Sequence, residues 1–202
     1  MRERKMADVL VGAREVFFRC GYEGASVDAI AAEGKVSKAT MYSYYPSKEQ
    51  LFLGVVESEC GRLAEEILRS LTTASEPRAQ LEELALRIVD LTLDDTYIRL
   101  LRTCIGASEA LPEVGEVYFR AGPKPARELV GRILERLTRE GALDVDDTRR
   151  ASDYFIHLCV SGLLMSRLLA VKRAVNREKH AGEAVAAFLR LYSSGHRDKF
   201  SD

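Results

Sequence analysis

Two short segments, each opened by a serine, lie between a long apolar-periodic stretch and a capping box, and this arrangement most restricts what the chain can fold into. Met6, Val9, Leu10, Ala13, Val16, Phe17 and Cys20 recur at three- and four-residue spacing, one face of an amphipathic helix over residues 3–20. Gly21 supplies a left-handed stop. Ser26 is a good N-cap for a short helix, Val27–Glu33, that buries Val27, Ile30 and Ala31 and is broken by Gly34. Ser37 caps a second, Lys38–Tyr44, which Pro46 ends by disfavouring helical geometry at Tyr45. Ser47 and Gln50 form a capping box that opens a long fourth helix from Lys48 to near Leu71. The two short helices are separated by about four residues and directly follow the longer one. Residues 1–46 therefore predict a three-helix helix-turn-helix unit.

The remaining chain continues at helical period. Pro77 suits the first turn of a fifth helix running to near Leu93. Asp94 and Asp95 start a sixth with Tyr97, Ile98, Leu101, Cys104 and Ile105 on one side. A seventh begins over Pro112–Phe119, is interrupted by Gly122, Pro123 and Pro125, and resumes over Arg127–Glu140. Asp146 and Asp147 open an eighth reaching Ala174, and Glu178–Tyr192 makes a ninth. No alternating strand pattern, internal repeat or low-complexity segment is visible. The expectation is an all-α protein of about nine helices. Residues 1–46 would form the helix-turn-helix domain and 47–202 a helical ligand-binding and dimerisation domain. The long fourth helix, shared by both, could carry a displacement as a rigid rod.

Net charge is −1 with 30% charged residues, so any nucleic-acid contact must come from a local cluster of cations. The four cysteines, Cys20, Cys60, Cys104 and Cys159, form no Cys-x-x-Cys pair, which argues against a zinc site and a secreted disulfide framework. The start carries no signal-peptide apolar block, and the most apolar stretch, Tyr154–Val171, is interrupted by His157 and Arg167. These features predict a cytoplasmic protein without a membrane partner. His180 and His196 lack partners at metal-ligand spacing, so no metal or cofactor is expected. The absence of a Ser-His-Asp grouping, carboxylate pair, phosphate loop or Glu-x-x-His motif argues against an enzyme.

In a helix-turn-helix the second short helix enters the major groove with its N-terminal residues against base edges. Here those are Ser37, Lys38, Ala39 and Thr40, small or polar side chains that permit close approach. Tyr42, Tyr44 and Tyr45 carry phenol groups suited to phosphate and sugar. Lys48, in the first turn of its helix, opposes the helix dipole; a phosphate there would satisfy both the lysine and the free amides. Arg2, Arg4 and Lys5 could touch the flanking backbone or minor groove, although a solvated terminus accounts for them as well. Taken singly, each of these residues is explained by packing or solvation. As a spaced set they point to double-stranded DNA.

The run from Ser26 to Phe52, Ser-Val-Asp-Ala-Ile-Ala-Ala-Glu-Gly-Lys-Val-Ser-Lys-Ala-Thr-Met-Tyr-Ser-Tyr-Tyr-Pro-Ser-Lys-Glu-Gln-Leu-Phe, closely resembles the DNA-binding domain of the TetR family of regulators. The shared features are the Ser26 cap, Ile30-Ala31, Val36-Ser37, Thr40, Tyr42 and Lys48-Glu49-Gln50-Leu51. The resemblance implies a homodimeric repressor-type protein whose ligand binds in a cavity of the C-terminal domain and releases DNA. A two-fold dimer calls for a roughly palindromic operator, and an apolar cavity suits a small hydrophobic or aromatic effector. The resemblance also implies DNA contacts from Ser26, Lys35, Ser37, Lys38, Ala39, Thr40, Tyr42, Tyr44, Tyr45 and Lys48. The sequence departs from the family at two places. Gly34-Lys35 stands where Ala-Gly is usual, so either the turn shifts by one residue or Lys35 is left-handed at a cost of about 1 kcal/mol. Tyr45 stands where Phe is favoured, and its hydroxyl needs a partner.

The eighth and ninth helices are apolar over wide arcs, so something besides their own domain must cover them. The resemblance implies pairing with symmetry mates in a four-helix interface. The expected interface residues are Tyr154, Cys159, Gly162, Leu163, Ser166, Val185, Phe188, Leu189 and Tyr192. Candidate effector-lining residues are Leu63, Ile67, Val89, Leu93, Tyr97, Leu101, Cys104, Ile105, Tyr118, Phe119, Phe155 and Leu158, many of which an ordinary core would also explain. The segment Glu109–Pro125 is similar to the C-terminal domains of AefR-like members. His157 fits a hydrogen-bonded core or interface histidine better than a pH switch. An alternative signal is thiol oxidation at Cys104 and Cys159, which would require the two to be close and ionised; buried inert thiols are the plainer reading.

Overall fold

The computed structural model describes residues 2–70 and 76–193, with side chains described over 5–66 and 76–193. Among the described residues there are eleven helices: α1 (Arg2–Gly24), α2 (Val27–Glu33), α3 (Lys38–Tyr44), α4 (Lys48–Ser70), α5 (Pro77–Leu93), α6 (Asp95–Ala107), α7 (Glu113–Ala121), α8 (Pro123–Arg139), α9 (Thr148–Val160), α10 (Leu164–Leu168) and α11 (Arg177–Tyr192). No strand occurs among them, only an isolated bridge between Leu143 and Ser193. None of these helices is long and apolar enough to cross a membrane.

The chain divides into two compact units, the first Met1–Leu63 with Arg99–Pro123, the second Ala64–Ile98 with Lys124–Asp202. In the first, the three serine caps form as the sequence predicts. Ser26 Oγ accepts from Ala29 N at 3.2 Å, Ser37 Oγ from Thr40 N at 3.0 Å, and Ser47 Oγ from Gln50 N at 3.2 Å. The bounds of α2 and α3 coincide with the predicted ones. Gly21, at φ 72°, breaks the helical path of α1 near its end. Val9, Ala13, Val16, Phe17, Ile30, Met41, Leu51 and Phe52 are buried, and the Phe17 and Phe52 ring centroids lie 4.8 Å apart.

The two alternatives for the turn resolve in favour of a left-handed Lys35, at φ 52°. Gly34 has an ordinary φ of −75°, so its use there is spatial. A Cβ on Gly34 would stand 3.1 Å from Asp8 O, and one on Gly12 would stand 2.5 Å from Gly34 Cα. Helices α1 and α2 thus cross backbone to backbone at a glycine pair. With Gly34 fixed by that contact, the left-handed residue falls to its neighbour.

Two predicted helices are corrected. The seventh is two, α7 and α8, and the second begins at Pro123 rather than Arg127. Both prolines fall in its first turn, where no amide donor is needed. The eighth ends at Val160 instead of continuing to Ala174: Gly162 is left-handed at φ 69°, α10 is a single short turn, and Ala170 is left-handed at φ 57°. Apolar residues on both sides of the break hide it from periodicity.

The second unit is built on α5, α8, α9 and α11. Its core joins Leu81, Leu84, Ala85 and Val89 to Val130, Leu134 and Leu137, and to Phe155, Cys159, Val185 and Phe188. Phe155 and Phe188 meet edge to face at 5.1 Å. Full burial of one such aromatic is worth about 1.5–3 kcal/mol. Arg177 ties α11 to α5 through Asp90 at 2.6 Å, and Arg167 donates to Leu93 O at 3.1 Å and pairs with Asp95.

Candidate nucleic-acid interface

The first turn of α3 is presented outward. Ser37, Lys38 and Ala39 are exposed and Thr40 is half-buried. Ser37 and Thr40 hydroxyls lie 2.8 Å apart, so both side chains are oriented before any ligand arrives. Ser43 Oγ donates to Thr40 O at 2.6 Å. Lys38 forms an ion pair with Asp28 in the first turn of α2. Lys35 and Ser26 are exposed, and Tyr42 keeps 44% of its surface exposed.

Two of the expected DNA-facing residues are held by the protein itself. Tyr45 lies against α4: a Cβ at Gly54 would fall 2.6 Å from its Cε1 and 3.1 Å from its hydroxyl oxygen. Burial pushes its phenol pKa up, so its environment favours the neutral form. Lys48 Nζ donates to Tyr22 O at 3.1 Å and Ala25 O at 3.2 Å, and sits 4.6 Å above the centre of the Tyr22 ring. The Tyr22 hydroxyl donates in turn to Glu49 at 3.1 Å, and its pKa is pushed up to about 12, first by burial and then by Glu49. A lysine that opposes its own helix dipole is thus accounted for by the carbonyls ending the neighbouring helix. The sequence signal for this is the left-handed stop at Gly21, which precedes the two residues, Tyr22 and Ala25, whose carbonyls accept from Lys48. Tyr44 is half-buried, and of the basic arm only the exposed Lys5 lies within the described side chains.

Residues 9–55, which hold this whole arrangement, match the family described as bacterial regulatory proteins, tetR family. Residues 79–194, more than half of the chain, match the AefR-like transcriptional repressor C-terminal domain. The chain belongs to the TetR family. The transcriptional activator FasR of Mycolicibacterium smegmatis is 32% identical over 80 residues, which is 40% of this chain and 36% of that protein. The likeness to that curated relative therefore spans little over a third of its length. A solved structure from Mesorhizobium loti, assigned to the TetR family, superposes with a TM-score of 0.89 at 25% identity, covering 96% of this chain and 98% of that one. The flavonoid-responsive regulator FrrA superposes with a TM-score of 0.79 at 26% identity, covering 95% and 98%.

The residues named for an effector in this TetR-family chain are distributed over both units. Leu63, Cys104 and Tyr118 are buried in the first and Leu101 is half-buried there. Ile105 and Phe119, expected to point inward, are 55% and 64% exposed. The buried stripe of α6 runs through Leu100, Thr103, Cys104 and Ala107, and Ile105 falls off its edge. In the second unit Val89 and Phe155 belong to the core, with Leu93 and Leu158 packed against it and Tyr97 half-buried. Ile67 lies outside the described side chains.

The residues named for dimerisation also divide. Cys159, Leu163, Val185 and Phe188 are interior to the second unit's own core and have no surface to offer a partner. Helices α5 and α8 supply the cover that the sequence pattern demanded. Tyr154 and Gly162 are exposed, and Ser166, Leu189 and Tyr192 half-buried. Sequence reasoning passed over Met165 and left Leu169 and Leu191 off the interface, although all three are exposed apolar side chains. His157 is exposed rather than interior and bonds Asp153 O of its own helix at 2.6 Å.

Thiol chemistry finds little support. Burial pushes Cys60, Cys104 and Cys159 up to about 12, so each stays a neutral thiol at neutral pH. Cys104 and Cys159 belong to different units. Among the described residues no cluster of His, Cys, Asp and Glu could hold a metal ion.

Proposed function

We propose that this protein is an effector-responsive repressor that binds a two-fold symmetric operator as a cytoplasmic homodimer and releases it when a small hydrophobic or aromatic molecule occupies its C-terminal part. The observation that carries this reading is the first turn of α3, capped by Ser37 and presenting Lys38, Ala39 and Thr40 outward. In this reading Thr40 and Lys38 meet base edges, while Ser26, Lys35, Tyr42 and Tyr44 position the protein on the phosphates. Lys48 and Tyr45 hold α4 against the reading head. Residues 1–46 read DNA, and 47–202 sense the effector and pair with a second copy.

The name of FrrA, a flavonoid-responsive protein of the same fold, supports an aromatic effector. Exposed Tyr154, Met165, Leu169 and Leu191 support a covering second copy. The test is a gel shift against DNA taken from around the protein's own gene, at two salt concentrations. A salt-sensitive shift of one fragment with a two-fold symmetric footprint is expected. If a selection from random DNA also recovers nothing, the reading fails.

A further inference from the structure

Lys38 is the only cation in the first turn of α3, and its ammonium is already paired. Asp28 supplies the partner from the first turn of α2. Both side chains are open to solvent, 54% and 75% exposed, so a duplex reaching Lys38 also reaches Asp28. The carboxylate also raises the pKa of Lys38, first through its hydrogen bond and then through its charge. Ser37 and Thr40 are similarly occupied with each other. Every polar side chain in that turn therefore enters an encounter with DNA already holding a partner within the protein.

A free surface lysine gains on any duplex, because its approach to phosphate releases condensed counterions whatever the sequence. A lysine paired to a protein carboxylate gains much less. It exchanges one anion for another, and the abandoned carboxylate faces the phosphates. Only a contact of good geometry, such as a bidentate one to a guanine edge, offsets that loss. The loss is common to all DNA, but the compensation exists at one site, and such a term separates correct from incorrect partners.

We propose that Asp28 is a specificity-determining residue that withholds Lys38 from DNA of arbitrary sequence. The inference rests on the DNA-binding reading above. The test compares wild type with Asp28→Asn by fluorescence anisotropy on two probes, the duplex that the wild type selects from a random library and poly(dI-dC). Asp28→Asn is expected to bind poly(dI-dC) about three- to tenfold tighter at low salt, with a salt slope steeper by about 1. Binding to the selected duplex should change by less than about threefold, so discrimination falls. In a Lys38→Met background the same Asp28→Asn change removes only a carboxylate that repels phosphate, so it should tighten both probes equally and leave discrimination unchanged.

Equal tightening on both probes with Lys38 present, or the same fall in discrimination without Lys38, would make Asp28 an ordinary negative charge and overturn the proposal. So would no change at all, provided a thermal melt shows the variant folded. A folding defect is met with Asp28→Ser, which keeps a hydroxyl in the first turn of α2, and the same outcomes apply. A wild type that selects no duplex removes the regulator reading and this proposal together. A wild type that selects one while Asp28→Asn leaves discrimination intact removes only the proposal.

Discussion

Replacing Gly12 by alanine tests the glycine crossing of α1 and α2 directly. The new Cβ would lie 2.5 Å from Gly34 Cα and 3.1 Å from Glu33 C, and closer still to Gly34 N. These are backbone atoms, so no side-chain rotation relieves the contact. To restore ordinary van der Waals distance the two helices must part by about 1 Å, a gap that forfeits a quarter to a half of each contact along the seam. Buried Val9, Ala13, Ile30 and Ala31 lie on these two helices. Overpacking of this kind costs about 1–3 kcal/mol, and a rigid backbone contact belongs at the upper end. Alanine returns about 1 kcal/mol in helix propensity. The net loss is about 2 kcal/mol, or a Tm lower by roughly 4–8 °C for a chain of this size. Gly61→Ala is the control, because a Cβ there meets nothing within 4 Å, and it should be neutral or stabilising. Thermal unfolding followed by circular dichroism at matched concentration measures both. A Gly12→Ala protein as stable as wild type, or the same effect at both positions, would refute the argument.

Lys48→Met should lower stability by about 1–2 kcal/mol through loss of two charged hydrogen bonds, weaken binding to all DNA and leave the salt slope unchanged; a slope shallower by about 1 would put Nζ on a phosphate instead. At pH 8, Ellman's reagent should label Cys20 quickly and Cys60, Cys104 and Cys159 only after unfolding, and a second fast thiol would contradict their burial. The three buried thiols and Tyr22 have folded pKa values raised to about 12 from 9.0 and 10.0, so the stability they contribute is complete below the lower values. It is lost as pH rises towards 12, and urea midpoints should fall from pH 9 upward; midpoints that stay level would contradict it. Leu191→Glu should weaken self-association in sedimentation velocity with little change in protomer helicity, whereas Leu163→Glu should unfold the second unit; an unchanged dimer with Leu191→Glu would remove that face from the interface.

The features legible in the sequence are those decided within a few residues. Ser26, Ser37 and Ser47 each act on an amide three positions away, so the helix starts they dictate are written locally. Positions decided by a partner elsewhere in the chain are not. Cys159 and Phe188 read equally well as interface or interior, because periodicity says that a face is covered without saying by what. Lys48 looks unexplained in the sequence because the carbonyls that hold it belong to Tyr22 and Ala25. Lys35 is ambiguous there because the reason for its conformation lies in the space that Gly34 leaves beside Asp8. The break at Gly162 escapes a periodicity argument since Leu163 and Leu164 continue the apolar pattern beyond it.

The division of the chain has a consequence for how such a protein can be rebuilt. The unit that contains α1, α2 and α3 is completed by Arg99–Pro123, which returns to it after an excursion of the polypeptide through Ala64–Ile98. The reading head is therefore not a portable cassette. A chimera cut after Leu63 would carry the helices that meet DNA but not the later segment that completes their unit. Recombining operator preference with effector preference would instead require that insert to travel with the N-terminal piece, or its surface to be redesigned on the recipient.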